Sequence, residues 1–209
     1  MDKMPEDCFN VIICDPPDRF DVEYKSQSDY DKWSKKWIKR MKNVLSEDGK
    51  IYLFVSYNTI DNLDGLMSNY FTLESKIRWK FNLFHQMEYI ILVYVNSKKS
   101  KINQEEHWHD IIILEEEKNL FVELLQANPK KICQTRLPEN LIARIINNET
   151  ERLGGREQIK LYDMFSGSGI VLNVASDMGI NYTGTEINKR YYKEIIKNLK
   201  EESHESQLL

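Results

Sequence analysis

The chain contains few cysteines, few glycines and prolines, and no long apolar run. Its three cysteines, Cys8, Cys14 and Cys133, are odd in number and far apart, so neither a disulfide framework nor a zinc cluster is predicted. Only 8 Gly and 5 Pro in 209 residues exclude collagenous and low-complexity chains. No apolar run approaches the roughly 20 residues of a membrane-spanning helix, and the N-terminal segment is acidic where a signal peptide is apolar. We therefore expect a soluble globular protein inside the cell, in the cytoplasm or the nucleus.

The sequence also has no excess of positive charge. Its net charge of −4 argues against a protein that holds nucleic acid through an overall positive field. Basic residues are nevertheless grouped locally, and the candidate nucleic-acid contacts are Lys35, Lys36, Lys98, Lys99 and Lys130. A single basic group of this kind is more often a solvated surface than a phosphate-binding site. Together, however, the groups are compatible with electrostatic contacts to DNA. No metal site is predicted, because His107-Trp108-His109 is interpreted as a surface feature.

Strands and helices alternate along the chain. Strands are predicted at residues 9–14, 51–56, 71–81, 88–95, 158–162 and 180–186, and helices at 30–44, 63–70, 137–147, 170–178 and 190–200. This alternation indicates one α/β domain over residues 1–209, with a mostly parallel sheet covered on both faces. Between residues 96 and 131 the pattern degrades apart from a short helix candidate near 120–125. That segment is predicted to be a loop or a short recognition insertion.

A glycine-containing loop follows the strand predicted at 158–162. In Asp163-Met-Phe165-Ser-Gly167-Ser-Gly169 the two glycines allow a sharp turn and leave room for a ligand at the start of a helix. Glu186 follows about 20 residues later, the spacing at which a carboxylate can bind ribose hydroxyls. The third glycine of a dinucleotide motif is replaced by Leu172. The loop therefore suits a mononucleoside better than a dinucleotide.

A second loop follows the strand predicted at 9–14. In Asp15-Pro16-Pro17-Asp18 the prolines fix the backbone and remove two N–H donors, so the loop presents carbonyl oxygens and the Asp15 carboxylate as rigid acceptors. Two acceptors that hold the hydrogens of an exocyclic amine on adenine or cytosine favour a more tetrahedral nitrogen. Such a nitrogen can attack a sulfonium methyl group in line. A plain turn after a strand is the alternative interpretation of this loop by itself.

Together these segments resemble the amino-methylating DNA methyltransferases of the circularly permuted β class, which use S-adenosylmethionine. Asp15-Pro16-Pro17-Asp18 resembles the Asp-Pro-Pro-Tyr motif of that family and comes first in the chain. It is followed by YDKWSKKWIKRMKNVLSEDGKIYLFVSY, FHQMEYIILVYVNSKK, QTRLPENLIARII, DMFSGSG and TGTEI, each similar to a family segment. The similarity covers the chain except for about residues 98–131. It implies a Rossmann-like methyltransferase sheet in permuted motif order and a role in DNA methylation and restriction–modification.

The resemblance also implies roles for individual residues. Asp15, Pro16, Pro17 and Asp18 would form the catalytic loop, with Asp15 and the Pro16 carbonyl holding the target amine. Residues around the cofactor would be Asp163, Phe165, Gly167, Gly169, Glu186, Thr135 and Pro138, with Glu186 on the ribose and the last two at the methionine end. An aspartate at position 15 favours adenine N6 over cytosine N4, because the cytosine-N4 enzymes of the family more often carry serine there.

The chain departs from the family pattern in three places. Asp18 replaces the aromatic residue whose ring stacks on the flipped base, and Phe20 or Tyr24 is a candidate replacement. Only eight residues precede Phe9, so one edge strand is expected to be missing, and the exposed edge would need a second copy or a partner subunit. The segment at 96–131 is short for a target-recognition region.

Two further interpretations stay open. A methyltransferase-like subunit with weakened activity, which binds nucleic acid or supports a catalytic partner, would explain all three departures. Alternatively the acceptor could be RNA or a protein glutamine, because related Pro-Pro loops act on those groups as well.

Overall fold

A computed structural model describes residues 4–19, 24–81, 87–96, 108–112 and 137–205. Seven strands form one sheet in the order β5-β3-β4-β2-β1-β6-β7. The strands are β1 (Phe9–Cys14), β2 (Leu45–Val55), β3 (Thr72–Phe81), β4 (Met87–Val95), β5 (Trp108–Ile112), β6 (Lys160–Asp163) and β7 (Asn181–Gly184). The helices in this part of the chain are α1 (Gln27–Val44), α2 (Ile60–Met67), α3 (Glu139–Leu153), α4 (Ile170–Asp177) and α5 (Lys189–Glu205), and a 3-10 turn lies at Arg156–Gln158.

Two apolar layers cover the two faces of the sheet. Successive residues of a strand point to opposite faces, so Ile12 packs with α1 and α2 while Ile13 packs with α3 and α4. The central strands are buried on both faces, which explains their continuous apolar runs. The structure is thus a three-layer α/β/α arrangement, and the predicted fold class is confirmed.

Helix α1 shows how the sequence specifies these layers. Ser26 caps its N-terminus by accepting a hydrogen bond from the Asp29 backbone N–H at 3.2 Å. Its buried side chains lie on one face of the helix and are Tyr30, Ser34, Trp37, Ile38, Met41 and Val44. Lysines fill the opposite face, including the exposed Lys35 and Lys36. The helix therefore buries one stripe against the sheet and turns a basic surface to solvent.

The structure differs from the sequence-based predictions at several element boundaries, and it contains one strand that was not predicted. Strand β4 is antiparallel to both of its neighbours, and every other pairing is parallel. Strand β2 begins at Leu45 rather than Ile51, and α3 continues to Leu153 rather than ending at Asn147. Strand β5 lies inside the segment predicted to be a loop, where its short apolar run follows a polar stretch and has no clear period of its own.

Strand β7 forms one edge of the sheet, and no further strand pairs with it among the residues that the structure describes. The expected absence of one edge strand stays a prediction. The helix candidate at 120–125 and the predicted site residues Thr135, Lys98, Lys99 and Lys130 lie outside the described residues. None of the helices in the described part of the chain is long and apolar enough to cross a membrane.

Candidate active site

The two motif loops follow neighbouring strands. Strands β1 and β6 are parallel and adjacent, and Ile13 pairs with Asp163. The loop that begins at Asp15 and the loop that begins at Met164 therefore leave the same, carboxyl edge of the sheet. Ligands of open α/β sheets bind at this edge. Segments about 150 residues apart in the sequence are brought together by this single strand pairing.

The glycine loop is shaped by close packing on one side and open space on the other. Gly167 and Gly169 adopt positive φ values of 49° and 83°, which glycine accepts without steric cost. A Cβ on Gly169 would lie 2.7 Å from the Ile195 side chain of α5, whereas a Cβ on Gly167 would meet nothing closer than 3.9 Å. The loop is thus held against α5 at Gly169 and leaves space beside Gly167.

Glu186 joins the end of β7 to the glycine loop. Its carboxylate accepts a hydrogen bond from the Gly167 N–H at 2.8 Å and another from the Asn188 N–H at 2.6 Å. The Ser166 N–H donates to the Thr185 carbonyl at 3.1 Å, which fixes the same two loops to each other. The structure therefore brings together the glycines and the acid that the sequence placed about 20 residues apart.

Asp163 is a buried acid at the end of β6. Burial raises the pKa of its carboxyl to about 8; hydrogen bonds from the Phe165 backbone and the Ser166 side chain lower it, and the negative charges of Asp15 and Glu186 raise it. An acid in this position is protonated over much of the neutral range. Three carboxyl groups converge on this edge of the sheet, so the site favours a ligand that carries positive charge or hydrogen-bond donors.

The Asp-Pro-Pro loop is fixed from α1 and from the end of β2. The Tyr30 hydroxyl donates a hydrogen bond to the Pro17 carbonyl at 3.3 Å. The Asp18 carboxylate accepts one from the Ser56 hydroxyl at 2.7 Å, just beyond β2. Asp15 is half-buried and Pro16 is buried. The loop that carries the candidate acceptors is therefore supported by two neighbouring elements.

Aromatic side chains connect the two loops. The Phe165 ring lies 5.7 Å from the ring of Trp33 and 5.7 Å from that of Trp37, centroid to centroid. Tyr30, which binds the Pro17 carbonyl, lies 5.6 Å from Trp33 in the same cluster. Both tryptophans lie in the segment predicted to be a helix at 30–44, and the sequence analysis assigned them no place in the site. Their contact with Phe165 depends on the adjacency of β1 and β6, which the sequence pattern does not show.

Comparisons with known proteins identify the family of this site. The family model described as DNA methylase (N6_N4_Mtase) matches residues 9–198. The chain belongs to this DNA methylase family. The predicted resemblance to amino-methylating DNA methyltransferases is thereby confirmed, and the protein is an S-adenosylmethionine-dependent DNA amino-methyltransferase.

Individual relatives agree with this assignment. The Type II methyltransferase M2.DpnII of Streptococcus pneumoniae is 25% identical over 242 residues, which cover 97% of this chain and 87% of that protein. The M1.HpyAVI complex with SAM has a TM-score of 0.62 at 20% identity, over 95% of this chain and 90% of that one. The cytosine-N4-specific PvuII DNA methyltransferase has a TM-score of 0.67 at 14% identity, over 91% of this chain and 79% of that one. These two solved structures share the fold of the methylase.

Pro138 precedes the first turn of α3 in this methylase. Arg152, near the other end of α3, donates to the carbonyls of Asp48 and Asn10 at 3.0 and 3.5 Å, at the amino end of the sheet. Fourteen helical residues span about 21 Å, which is comparable to the length of β1. Pro138 therefore lies towards the carboxyl edge, the edge at which the two motif loops lie.

Ile187 is a further residue beside the candidate site that the sequence analysis did not single out. It follows Glu186 directly and is fully exposed. The signal in the sequence that could have drawn attention to it is its position next to the candidate ribose-binding acid.

Proposed function

We propose that this methylase acts on the N6 amino group of adenine in DNA, with Asp15 and the Pro16 carbonyl as the groups that hold the amine. The observation that carries this proposal is the pairing of β1 with β6, which leads the Asp15 loop and the glycine loop to one edge of the sheet. The preference for adenine over cytosine rests on the aspartate at position 15. Asp163, Phe165, Gly167, Gly169, Glu186, Thr135 and Pro138 are proposed to hold the cofactor.

The described residues fit S-adenosylmethionine in shape and charge. There is open space beside Gly167, a carboxylate at Glu186, and an exposed aliphatic surface at Ile187 that an adenine ring would cover. Burial raises the pKa of Asp163, and the negative charges of Asp15 and Glu186 add to this effect; a cationic ligand would offset the repulsion among the three carboxyl groups. When bound, S-adenosylmethionine supplies a methyl group activated on a positively charged sulfur.

The catalytic loop would act by holding and polarising the target amine. The Asp15 carboxylate and the Pro16 carbonyl accept the two N–H groups, which directs the nitrogen lone pair towards the methyl carbon. As the new nitrogen–carbon bond forms and the sulfur–methyl bond breaks, the nitrogen loses one proton, which the Asp15 carboxylate accepts. The Tyr30 hydroxyl on the Pro17 carbonyl holds the loop in position for this step.

The decisive experiment measures cofactor binding and methyl transfer separately. Asp15→Ala is expected to reduce transfer of labelled methyl groups to a mixed DNA pool by at least about a thousandfold, because it removes an acceptor used in the transition state. Calorimetry should show S-adenosylmethionine affinity within about threefold of the wild-type value. Asp15→Asn keeps the shape of the side chain but removes its charge. It is the matched control that separates the loss of the carboxylate from the loss of the side chain.

Three outcomes would contradict parts of this proposal. A wild-type chain that binds no S-adenosylmethionine at millimolar concentration would exclude the cofactor site. A chain that binds it but transfers nothing, while raising the activity of a partner methylase, would favour the weakened subunit. Transfer to RNA or to a protein in preference to DNA would change the substrate class, and sequencing of the methylated DNA would separate adenine from cytosine.

We also infer that the β7 edge is covered by a second copy of the chain or by a partner subunit. Asn181 and Gly184, at the two ends of the strand, are exposed. An open edge of this kind offers unpaired backbone groups to another strand. Sedimentation velocity of the purified chain would detect a homodimer.

Three further predictions remain part of this proposal. They are a single domain over 1–209, a short recognition segment at 96–131, and an intracellular location where DNA is available.

A further inference from the structure

Position 18 provides no aromatic surface for a flipped base. Its residue is an aspartate whose carboxylate is bound to the Ser56 hydroxyl at 2.7 Å. Of the two replacements that the sequence offered, Phe20 lies outside the described residues. Tyr24 packs against Tyr30 and Trp33, with ring centroids 5.5 and 5.6 Å away. Among the residues that the structure describes, a base held at Asp15 therefore needs an aromatic side chain other than Tyr24 if it is to be stacked.

Tyr57 is an exposed aromatic residue immediately after the Ser56 that binds Asp18. Its side chain is 55% exposed, and it occupies the second position of a turn at the carboxyl end of β2. The Thr59 and Ile60 N–H groups both donate to the Ser56 carbonyl, at 3.1 and 3.0 Å. The Thr59 hydroxyl lies 3.1 Å from that of Ser56 and is itself in a buried residue. The turn that presents Tyr57 is thus fixed by its own hydrogen bonds.

The position of this turn relative to the catalytic loop follows from the sheet. Strand β2 is the parallel neighbour of β1 on the side opposite β6, and Leu53 pairs with Cys14. Ser56 is three residues beyond Leu53, and Asp18 is four residues beyond Cys14. The hydrogen bond between Ser56 and Asp18 shows that the two loops meet there. Tyr57 therefore lies beside the loop that carries Asp15 and Pro16.

We propose that Tyr57 supplies the ring that stacks on the flipped target base, in place of the aromatic residue missing at position 18. This inference rests on the proposed methyl transfer at Asp15. The hydrogen bond from Ser56 holds the Asp18 carboxylate at the turn that presents Tyr57. A ring on a rigid turn loses little conformational entropy when a base stacks on it, and stacking tolerates either purine or pyrimidine.

The test compares substitutions at Tyr57 in the full chain. Tyr57→Ala should lower kcat/KM for a mixed duplex DNA pool about tenfold to a hundredfold, the range expected when one base–aromatic stack is removed. Tyr57→Phe should retain nearly full activity, and Tyr57→Leu, which keeps apolar bulk without a ring, should be almost as impaired as the alanine variant. The S-adenosylmethionine Kd should be unchanged in all three, because that site follows β6 and β7.

Tyr192→Ala is the matched control, since Tyr192 is 54% exposed on α5, and it should leave kcat/KM unchanged. Equal activity of wild-type and Tyr57→Ala would overturn the role of Tyr57 while leaving the proposed function intact. A large loss in Phe20→Ala together with normal activity in Tyr57→Ala would assign the stack to Phe20 instead. Absence of transfer by the wild-type chain would overturn the proposed function and this inference together.

Discussion

Single residues at the carboxyl edge of the sheet combine structural and chemical roles. Asp163 ends a buried strand and also lies among the carboxyl groups of the site, so burial and charge repulsion both act on it. Glu186 accepts backbone hydrogen bonds from the glycine loop while remaining partly accessible. Buried or partly buried acids with perturbed surroundings of this kind are typical of ligand-binding sites.

The buried acid predicts a pH dependence of stability. Because the folded-state pKa of Asp163 is raised from 3.8 to about 8, the folded chain binds more protons than the unfolded chain between these values. The contribution of Asp163 to the free energy of unfolding should therefore fall as pH rises from about 4 to about 8, by at most about 1.4 kcal/mol per pH unit. Urea unfolding between pH 5.5 and 8.5 measures this slope.

Asp163→Asn is the comparison for that slope, because the amide keeps the size of the side chain and cannot ionise. The free energy of unfolding of the variant should therefore fall less steeply with rising pH than that of the wild-type chain. Parallel curves for the two proteins would show that Asp163 does not titrate in this range.

At the scale of elements, helix α3 is anchored at the amino edge of the sheet, away from the site. Glu149 is 1% exposed, accepts a hydrogen bond from the Tyr52 hydroxyl at 2.7 Å, and pairs with Arg152. Arg152 in turn donates to the Asp48 carbonyl, so α3 is tied to the start of β2. This network fixes the end of α3 that is remote from Pro138. We therefore expect it to affect stability much more than catalysis.

Glu149→Ala should lower the free energy of unfolding by about 3 kcal/mol, because it leaves the buried Tyr52 hydroxyl without its acceptor and removes the carboxylate that pairs with Arg152. Methyl transfer at 25 °C should remain within about twofold of wild type as long as the variant is folded. Glu194→Ala removes an exposed pair with Arg190 and should cost less than about 0.5 kcal/mol. Similar losses in the two variants would argue against the buried network as a stabilising element.

For the whole molecule, binding to DNA must overcome an unfavourable net charge of −4. Local basic surfaces therefore have to supply the phosphate contacts, and the described part of α1 presents one that includes the exposed Lys35 and Lys36. Phosphate contacts release counterions and make affinity depend on salt. Stacking on an aromatic ring does not change the number of phosphates neutralised, so these two contributions can be separated experimentally.

Replacement of Lys35 and Lys36 by Gln should weaken DNA binding and reduce the slope of log K against log salt by roughly 0.9 for each phosphate that is no longer neutralised. Fluorescence anisotropy with duplex DNA from 50 to 200 mM salt measures this slope. Lys160→Gln removes an exposed lysine at the amino end of β6, opposite the site, and should leave the slope unchanged. An unchanged slope in the Lys35 and Lys36 variant would exclude this surface from the DNA interface.

The sequence alone determined the α/β class, the order of the motifs and most element positions, because apolar periodicity and turn residues are local properties. The runs at 9–14 and 170–178 match β1 and α4 within one residue. The glycine loop, Glu186 and the Asp-Pro-Pro loop can also be identified without any strand pairing. Boundaries were less accurate where local signals were weak, as at the start of β2.

Tertiary structure decided which of these segments meet. The antiparallel direction of β4, the addition of β5 and the contact of Phe165 with the tryptophans of α1 all depend on pairings between residues distant in the sequence. The same holds for Tyr57, which comes next to the catalytic loop only because β2 pairs with β1 and Ser56 binds Asp18. Local patterns determine whether a segment is a strand or a helix, whereas neighbours in a sheet are selected by the free energy of the whole packed core.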